Sequence, residues 1–101
     1  MSPRRLIIVA DADQCLPEDE ERITRYLIAK GWEVWHWFGY FWLVTGAPDE
    51  LTLEDLFGEI HDLVGKLRVV VFDVEKHKMK GYVPHKSMPW LHEHWWGTKP
   101  S

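Results

Sequence analysis

Apolar runs and amphipathic stretches alternate along the chain and predict its regular elements. The first run, "RRLIIVAD", is rich in β-branched residues and predicts a strand. The stretch "LPEDEERITRYLIAKGW" follows, with a proline suited to a first helical position, acidic residues at its start and Gly31 at its end. These features predict a helix from Glu18 to Lys30, because helix N-termini favour proline and acidic residues and helices often end at glycine.

An aromatic hairpin is predicted next. The extended runs "WEVWHWF" and "FWLVTG" are separated by a short turn at Gly39. Because side chains alternate along a strand, Trp35 and Trp37 share one face of the sheet, and Val34 and His36 share the other. Some of the rings therefore point away from any helix packed on the sheet.

A second helix and a fourth strand complete the pattern. Thr52 suits an N-cap, and apolar residues recur at helical spacing from Leu53 to Val64, before Gly65. The run "LRVVVFDV" is again rich in β-branched residues. The order β-α-β-β-α-β predicts an α+β, ferredoxin-like fold, in which two helices lie on one face of a four-stranded antiparallel sheet.

The C-terminal part differs from the rest of the chain. We interpret residues 1–75 as the ferredoxin-like core and residues 76–101 as an extension rich in Trp and His that packs on the core or on a partner subunit. In this extension Pro89 suits the start of a short helix capped by Ser87. Such a helix would bury Trp90, Leu91 and Trp95 and leave its histidines outside.

Length and composition indicate one domain. A chain of 101 residues with 46% apolar content can form one core but not two. Its apolar runs are too short to cross a bilayer, and Cys15 is a lone cysteine. We therefore expect a cytoplasmic protein without membrane contact.

Charge divides the chain in the same way. Residues 1–74 sum to −7 and residues 75–101 to +3. Lysines interleaved with His and Trp are typical of nucleic-acid contacts, although such runs are more often simply solvated. The candidate contacts are Lys76, Lys78, Lys80 and Lys86.

A sheet face without helices has three uses in this fold: self-association, single-stranded RNA binding, or cover by the chain's own C-terminal extension. The acidic core and the missing RNA-binding signature on the last strand disfavour RNA. We favour a homodimer. The aromatic candidates for its interface are Trp35, Trp37, Phe41, Trp42, Trp90 and Trp95.

The chain carries few catalytic signals. It has no glycine-rich phosphate loop, "HExxH" or "CxxC". A zinc site of His85, His92 and His94 is disfavoured because helical residues two apart point to different sides. We expect no metal or other cofactor. Cys15 lies just before the first helix, but no base is identified for it.

Four stretches together carry a resemblance to a known group of proteins: "LIIVADAD", "VWHWFGYFWLV", "TLEDLFGEIHDLV" and "GYVPHKSMPWLHEHW". The chain resembles small bacterial and phage proteins labelled SinR-like, which are similar in fold to the small subunit of the CRISPR adaptation complex. The resemblance implies a ferredoxin-like fold and, for the CRISPR relative, a homodimer.

The same resemblance implies one catalytic hypothesis. An aspartate at the end of the first strand serves metal-dependent phosphodiester cleavage in that relative, and Asp11, followed by Asp13, takes this place here. Two such aspartates would share Mg²⁺ or Mn²⁺ across a dimer. The alternative is that Asp11 caps loop amides.

The preferred interpretation is a small binding protein without catalytic activity that acts through homodimerisation and protein contacts, which is consistent with a phage or mobile-element origin. A metal-dependent nuclease using Asp11 and nucleic-acid binding through the basic extension are the alternatives.

Overall fold

A computed structural model describes residues 4–37, 39–74 and 85–96 of the chain. The elements follow the predicted order: β1 (Arg5–Ala10), α1 (Pro17–Ala29), β2 (Glu33–Trp35), β3 (Phe41–Thr45), α2 (Leu53–Val64) and β4 (Val69–Val74). A helical segment, residues 85–96, comes last. It consists of a 3₁₀ turn (His85–Ser87), an α-helical turn (Met88–Trp90) and a wider helical turn (Leu91–Trp96).

The four strands form one antiparallel sheet in the order β2-β3-β1-β4. This arrangement confirms the predicted fold class. Strand β1 lies in the middle, where Ile7 is opposite Leu43 of β3 on one side and Phe72 of β4 on the other. Among the strands that the structure describes, β2 and β4 are at the edges of the sheet.

Both helices pack on the same face of the sheet. Leu6, Ile8 and Ala10 of β1 and Trp42 and Val44 of β3 point to this face and are buried. The helices contribute Ile23, Leu27, Leu56, Ile60 and Val64 to the same core. This apolar layer accounts for the helical spacing of the apolar residues in α1 and α2.

The helix ends follow the sequence signals. The Thr52 hydroxyl accepts a hydrogen bond from the Asp55 amide at 3.0 Å, as its predicted N-cap role requires. Gly65 has φ +60°, and its amide donates to the His61 carbonyl at 2.8 Å. At α1 the Asp19 carboxylate accepts from the Leu16 amide at 3.1 Å. The predicted Ser87 cap differs, because the Ser87 side chain makes no capping hydrogen bond and is buried instead.

The hairpin is shorter than its sequence suggests. Strand β2 ends at Trp35, and the Phe41 carbonyl is bonded by the His36 ring at 2.9 Å. The His36 side chain thus bonds to a backbone carbonyl that the next residues of a longer β2 strand would otherwise bond. Phe38 lies outside the described residues.

None of the helices that the structure describes is both long and apolar enough for a membrane crossing.

Candidate interaction surface

The sheet face away from α1 and α2, here called the second face, is partly covered by the 85–96 segment. Leu91 and Trp95 of the segment and Trp35 and Leu43 of the sheet form a cluster whose members are at most 2% exposed. Partly buried residues surround this cluster: Ile7, Phe41, Met88, Trp90 and Trp96. The segment therefore lies over the half of the second face formed by β2 and β3.

A buried arginine ties the segment to the sheet. Arg5 is 3% exposed, and its Nε donates to the Trp95 carbonyl at 2.6 Å. Burial lowers the pKa of Arg5 from its ordinary value, since desolvation disfavours the charged form. A positive group at the carbonyl end of a helical segment is favourable. Arg5 thus fixes the end of the segment at Trp95.

A weaker polar contact lies at the β2 edge. His94 Nε2 is 3.6 Å from the Glu33 carboxylate and 3.8 Å from that of Glu93. The His94 ring also lies 5.1 Å from the Trp90 ring. These partly exposed contacts orient the outer side of the segment above β2.

The other half of the second face is bare among the described residues. Val9 of β1 and Val70 and Phe72 of β4 are 39%, 53% and 50% exposed. We call these three residues the exposed strip. Val9 is opposite Val70, and Phe72 is opposite Ile7, so the strip is continuous with the covered half of the same face.

The outer edge of β4 borders a groove. Within the described part of the chain, β4 pairs with β1 alone. This edge and the overlying α2 border an open groove of about 310 Å³. The groove is lined by Leu53, Glu54, Phe57, Val69, Val70 and Val71.

The predicted interface rings separate into two sets. Trp35, Trp42 and Trp95 are at most 1% exposed, Trp42 in the helix-facing core and the other two beneath or within the 85–96 segment. Phe41 and Trp90 are partly buried, and Trp37 is 48% exposed. Of the six rings, these last three retain surface for a partner, and an interface role for them remains a prediction.

Asp11 is held by its own loop. Its Oδ1 accepts the Asp13 amide at 3.0 Å, and its Oδ2 lies 3.5 Å from the Arg68 guanidinium. This is an Asx turn, the capping alternative considered for Asp11. Asp13 is exposed. Among the described residues, no three His, Cys, Asp or Glu side chains are grouped so as to hold a metal ion.

The basic candidates are only partly described. Lys86 is exposed at the start of the 85–96 segment. Lys76, Lys78 and Lys80 lie outside the described residues. Nucleic-acid binding through these lysines therefore stays a prediction.

Cys15 is a buried thiol whose surroundings disfavour the thiolate form. It is 8% exposed, and burial raises its pKa, with smaller contributions from the nearby Asp19 and Glu20 carboxylates. A raised pKa disfavours the thiolate, which is the nucleophilic form. Burial thus outweighs the stabilisation that the start of α1 would give.

His36 is packed and hydrogen-bonded within the fold. Its Nε2 lies 2.7 Å from the Glu20 carboxylate of α1, and its ring stacks on Trp42 at 4.6 Å between centroids. The Trp42 indole in turn donates to the Thr24 hydroxyl at 2.9 Å. This network joins the hairpin to α1.

The residues of the exposed strip were missed by the sequence analysis. The run "VVVFDV" is apolar at five of its six positions, so it reads as a strand covered on both faces. Only the strand order shows that β4 is an edge. A topological signal did exist, because a ferredoxin-like sheet leaves its last strand at an edge.

Comparisons with other proteins returned nothing: no family model, no curated protein and no solved structure matches the chain. The resemblance to SinR-like proteins thus remains a prediction.

Proposed function

We propose that the protein acts by binding and forms a homodimer through the second face of its sheet. The exposed strip of each copy is covered by the 85–96 segment of the other copy, while each segment remains on its own sheet. The observation that carries the proposal is the position of the strip: three exposed apolar residues adjoin an apolar cluster on the same face. Contiguous apolar surface of this kind marks interaction sites.

The shape of the second face supports a two-fold arrangement. One half is raised by the 85–96 segment, and the other, flat half is covered by none of the described residues. A two-fold axis places the raised half of one copy on the flat half of the other, and does so twice. A single surface is then complementary to itself, as an isologous dimer requires.

Charge also supports this arrangement. Glu93 of the segment has a side chain that is 75% exposed, and Arg68, immediately before β4, has one that is 77% exposed. In the proposed dimer the segment lies over the strip, so these opposite charges belong to facing surfaces. Charge pairs at an interface rim favour the correct partner and orientation more than they raise affinity.

The size of the strip limits the expected affinity. A stable protein interface buries about 800 Å² per partner, and three half-exposed side chains supply much less. The outer surface of the 85–96 segment, with Trp90 and Met88 partly buried, must contribute the rest. We therefore expect a dissociation constant in the micromolar range.

The test is the solution mass by light scattering over a dilution series. The unmodified protein should pass from dimer to monomer on dilution. The Phe72→Lys variant should be monomeric at every concentration, because a dimer would bury the unpaired lysine charge in its interface. Ile28→Lys is the matched control. Ile28 is 59% exposed on α1, away from the second face, so this variant should dimerise normally.

Two results would contradict the proposal. The first is a monomeric unmodified protein throughout the series. The second is a dimer that Phe72→Lys leaves intact, which would place the contact elsewhere on the chain.

A further inference from the structure

His36 connects the β2–β3 hairpin to α1 through both nitrogens of its ring. Its Nδ1 lies 2.9 Å from the Phe41 carbonyl oxygen, and its Nε2 lies 2.7 Å from the Glu20 carboxylate. The His36 side chain is 13% exposed and stacks on the Trp42 ring, so water has little access to replace either contact. We call these two hydrogen bonds the His36 bridge.

The chemistry of the two acceptors fixes the number of protons in the His36 bridge. A carbonyl oxygen has no proton to give, so Nδ1 must donate to Phe41. An ionised carboxylate also only accepts, so Nε2 must donate to Glu20, and the ring is then an imidazolium. If the carboxyl group holds this second proton instead, it donates to Nε2. In either arrangement the bridge contains one proton more than a neutral imidazole beside an ionised carboxylate.

Loss of this proton breaks the His36 bridge. A neutral ring that still donates to Phe41 turns the Nε2 lone pair toward the Glu20 carboxylate, so two acceptors face each other across 2.7 Å. A neutral ring that donates to Glu20 turns a lone pair toward the Phe41 carbonyl instead. A histidine side chain in water changes its charge at about pH 6.5, so protonation of this kind responds to pH near neutrality.

Groups from two elements face the His36 ring. Helix α1 contributes the Glu20 carboxylate, and β3 contributes the Phe41 carbonyl and the Trp42 ring, neither of which titrates near neutral pH. Among the described residues, Glu20 is the only acidic side chain that pairs with His36. The Cys15 thiol lies near Glu20, but burial, together with carboxylates at the start of α1, raises its pKa and keeps it neutral in this range.

We propose that the His36 bridge is a pH-dependent contact that holds the turn end of the β2–β3 hairpin on α1. The folded state binds the shared proton more tightly than the unfolded chain does, so the bridge stabilises the hairpin at mildly acidic pH. This stabilisation is lost as the pH rises and the proton dissociates. The turn end, which carries the exposed Trp37 and Tyr40, then separates from α1. The bridge lies within one chain, so the proposal does not depend on the dimer.

The test is hydrogen exchange of the backbone amides of β2 and the start of β3. It is measured at about pH 6 and about pH 8.5, on either side of the usual histidine range, and corrected for the intrinsic effect of pH on exchange. Protection should be about tenfold lower at the higher pH, because one hydrogen bond to a charged, partly exposed group is lost. The amides of α2 should keep their protection.

The Glu20→Gln variant separates the His36 bridge from a general effect of pH. The glutamine amide can donate to Nε2 of a neutral ring while Nδ1 donates to Phe41, so both hydrogen bonds form without the additional proton. This variant should keep the protection of its hairpin amides at the higher pH. Glu18→Gln is the matched control, because it removes the same charge from an exposed position on the other side of α1. It should retain the pH dependence of the unmodified protein.

Three results would overturn the proposal. The first is equal protection of the hairpin amides at the two pH values in the unmodified protein. The second is a pH dependence that Glu20→Gln leaves unchanged, which would assign it to other ionisable groups. The third is low protection of Glu20→Gln at both pH values, which would mean that the negative charge of Glu20, and not a shared proton, holds the hairpin.

Discussion

The two halves of the second sheet face have similar residues and different surroundings. Leu43, Ile7 and Phe72 lie in one row across β3, β1 and β4 and point to the same side. Leu43 is 2% exposed beneath the 85–96 segment, whereas Phe72 is 50% exposed beside it. The comparison shows that alternation along a strand assigns a side chain to a face, while the cover on that face decides whether it stabilises the fold or remains available to a partner.

The largest expected effect concerns the covered half. Trp95→Ala removes a ring that is 1% exposed from the apolar cluster between the 85–96 segment and the sheet. We expect the free energy of unfolding to fall by about 4 kcal/mol, from lost burial and the cavity left behind. Urea denaturation measures this change. Trp37→Ala, at a ring that is 48% exposed, is the control and should cost less than about 1 kcal/mol.

The row itself provides the most direct test of the comparison. Leu43→Ala should lower the free energy of unfolding by about 3 kcal/mol, and Phe72→Ala by less than about 1 kcal/mol. Both are measured at low protein concentration, because dimerisation would stabilise the folded state by mass action. Equal losses for the two variants would mean that Phe72 is covered in the folded monomer.

Arg5 should have an intermediate effect. Arg5→Ala removes the hydrogen bond to the Trp95 carbonyl and leaves that carbonyl buried without this donor. We expect a loss of about 2 kcal/mol in the free energy of unfolding, together with faster amide exchange in the 85–96 segment. Arg25→Ala, at an exposed guanidinium on α1 and away from the second face, serves as the control. Unchanged exchange in the segment would show that Arg5 does not hold it.

The smallest effect is expected at the β2 edge. Glu33→Gln removes the charge that faces His94 at 3.6 Å. Both side chains are partly exposed, so the change in the free energy of unfolding should stay below about 0.5 kcal/mol. A larger loss, measured by the same denaturation, would mean that this contact and not the apolar cluster secures the segment.

Much of the fold could be predicted from the sequence because local signals and the global arrangement agree. Thr52 and Gly65 mark the ends of α2 by capping chemistry that depends on neighbouring residues only. The alternation of side chains along a strand correctly predicted that Trp35 and Val34 point to opposite faces of the sheet. These features do not require knowledge of distant contacts.

The candidate surface was harder to predict because it depends on contacts between distant parts of the chain. Arg5 reads as a solvated residue at the start of a strand, and its burial follows from a segment 90 positions away. Val70 and Phe72 belong to an apolar run that gives no sign of one exposed face. The wide helical turn at Leu91–Trp96 likewise has no local signal that we can identify.

The contact between Arg5 and the Trp95 carbonyl has a consequence for how the protein is made. It joins the first described strand to the last described segment, so the ribosome synthesises the sheet well before the cover of its second face. Contacts of such long sequence separation form late, since closing the intervening loop costs entropy. Until the 85–96 segment has been synthesised, Trp35 and Leu43 are exposed to solvent. The nascent chain therefore exposes a larger apolar surface than the folded protein.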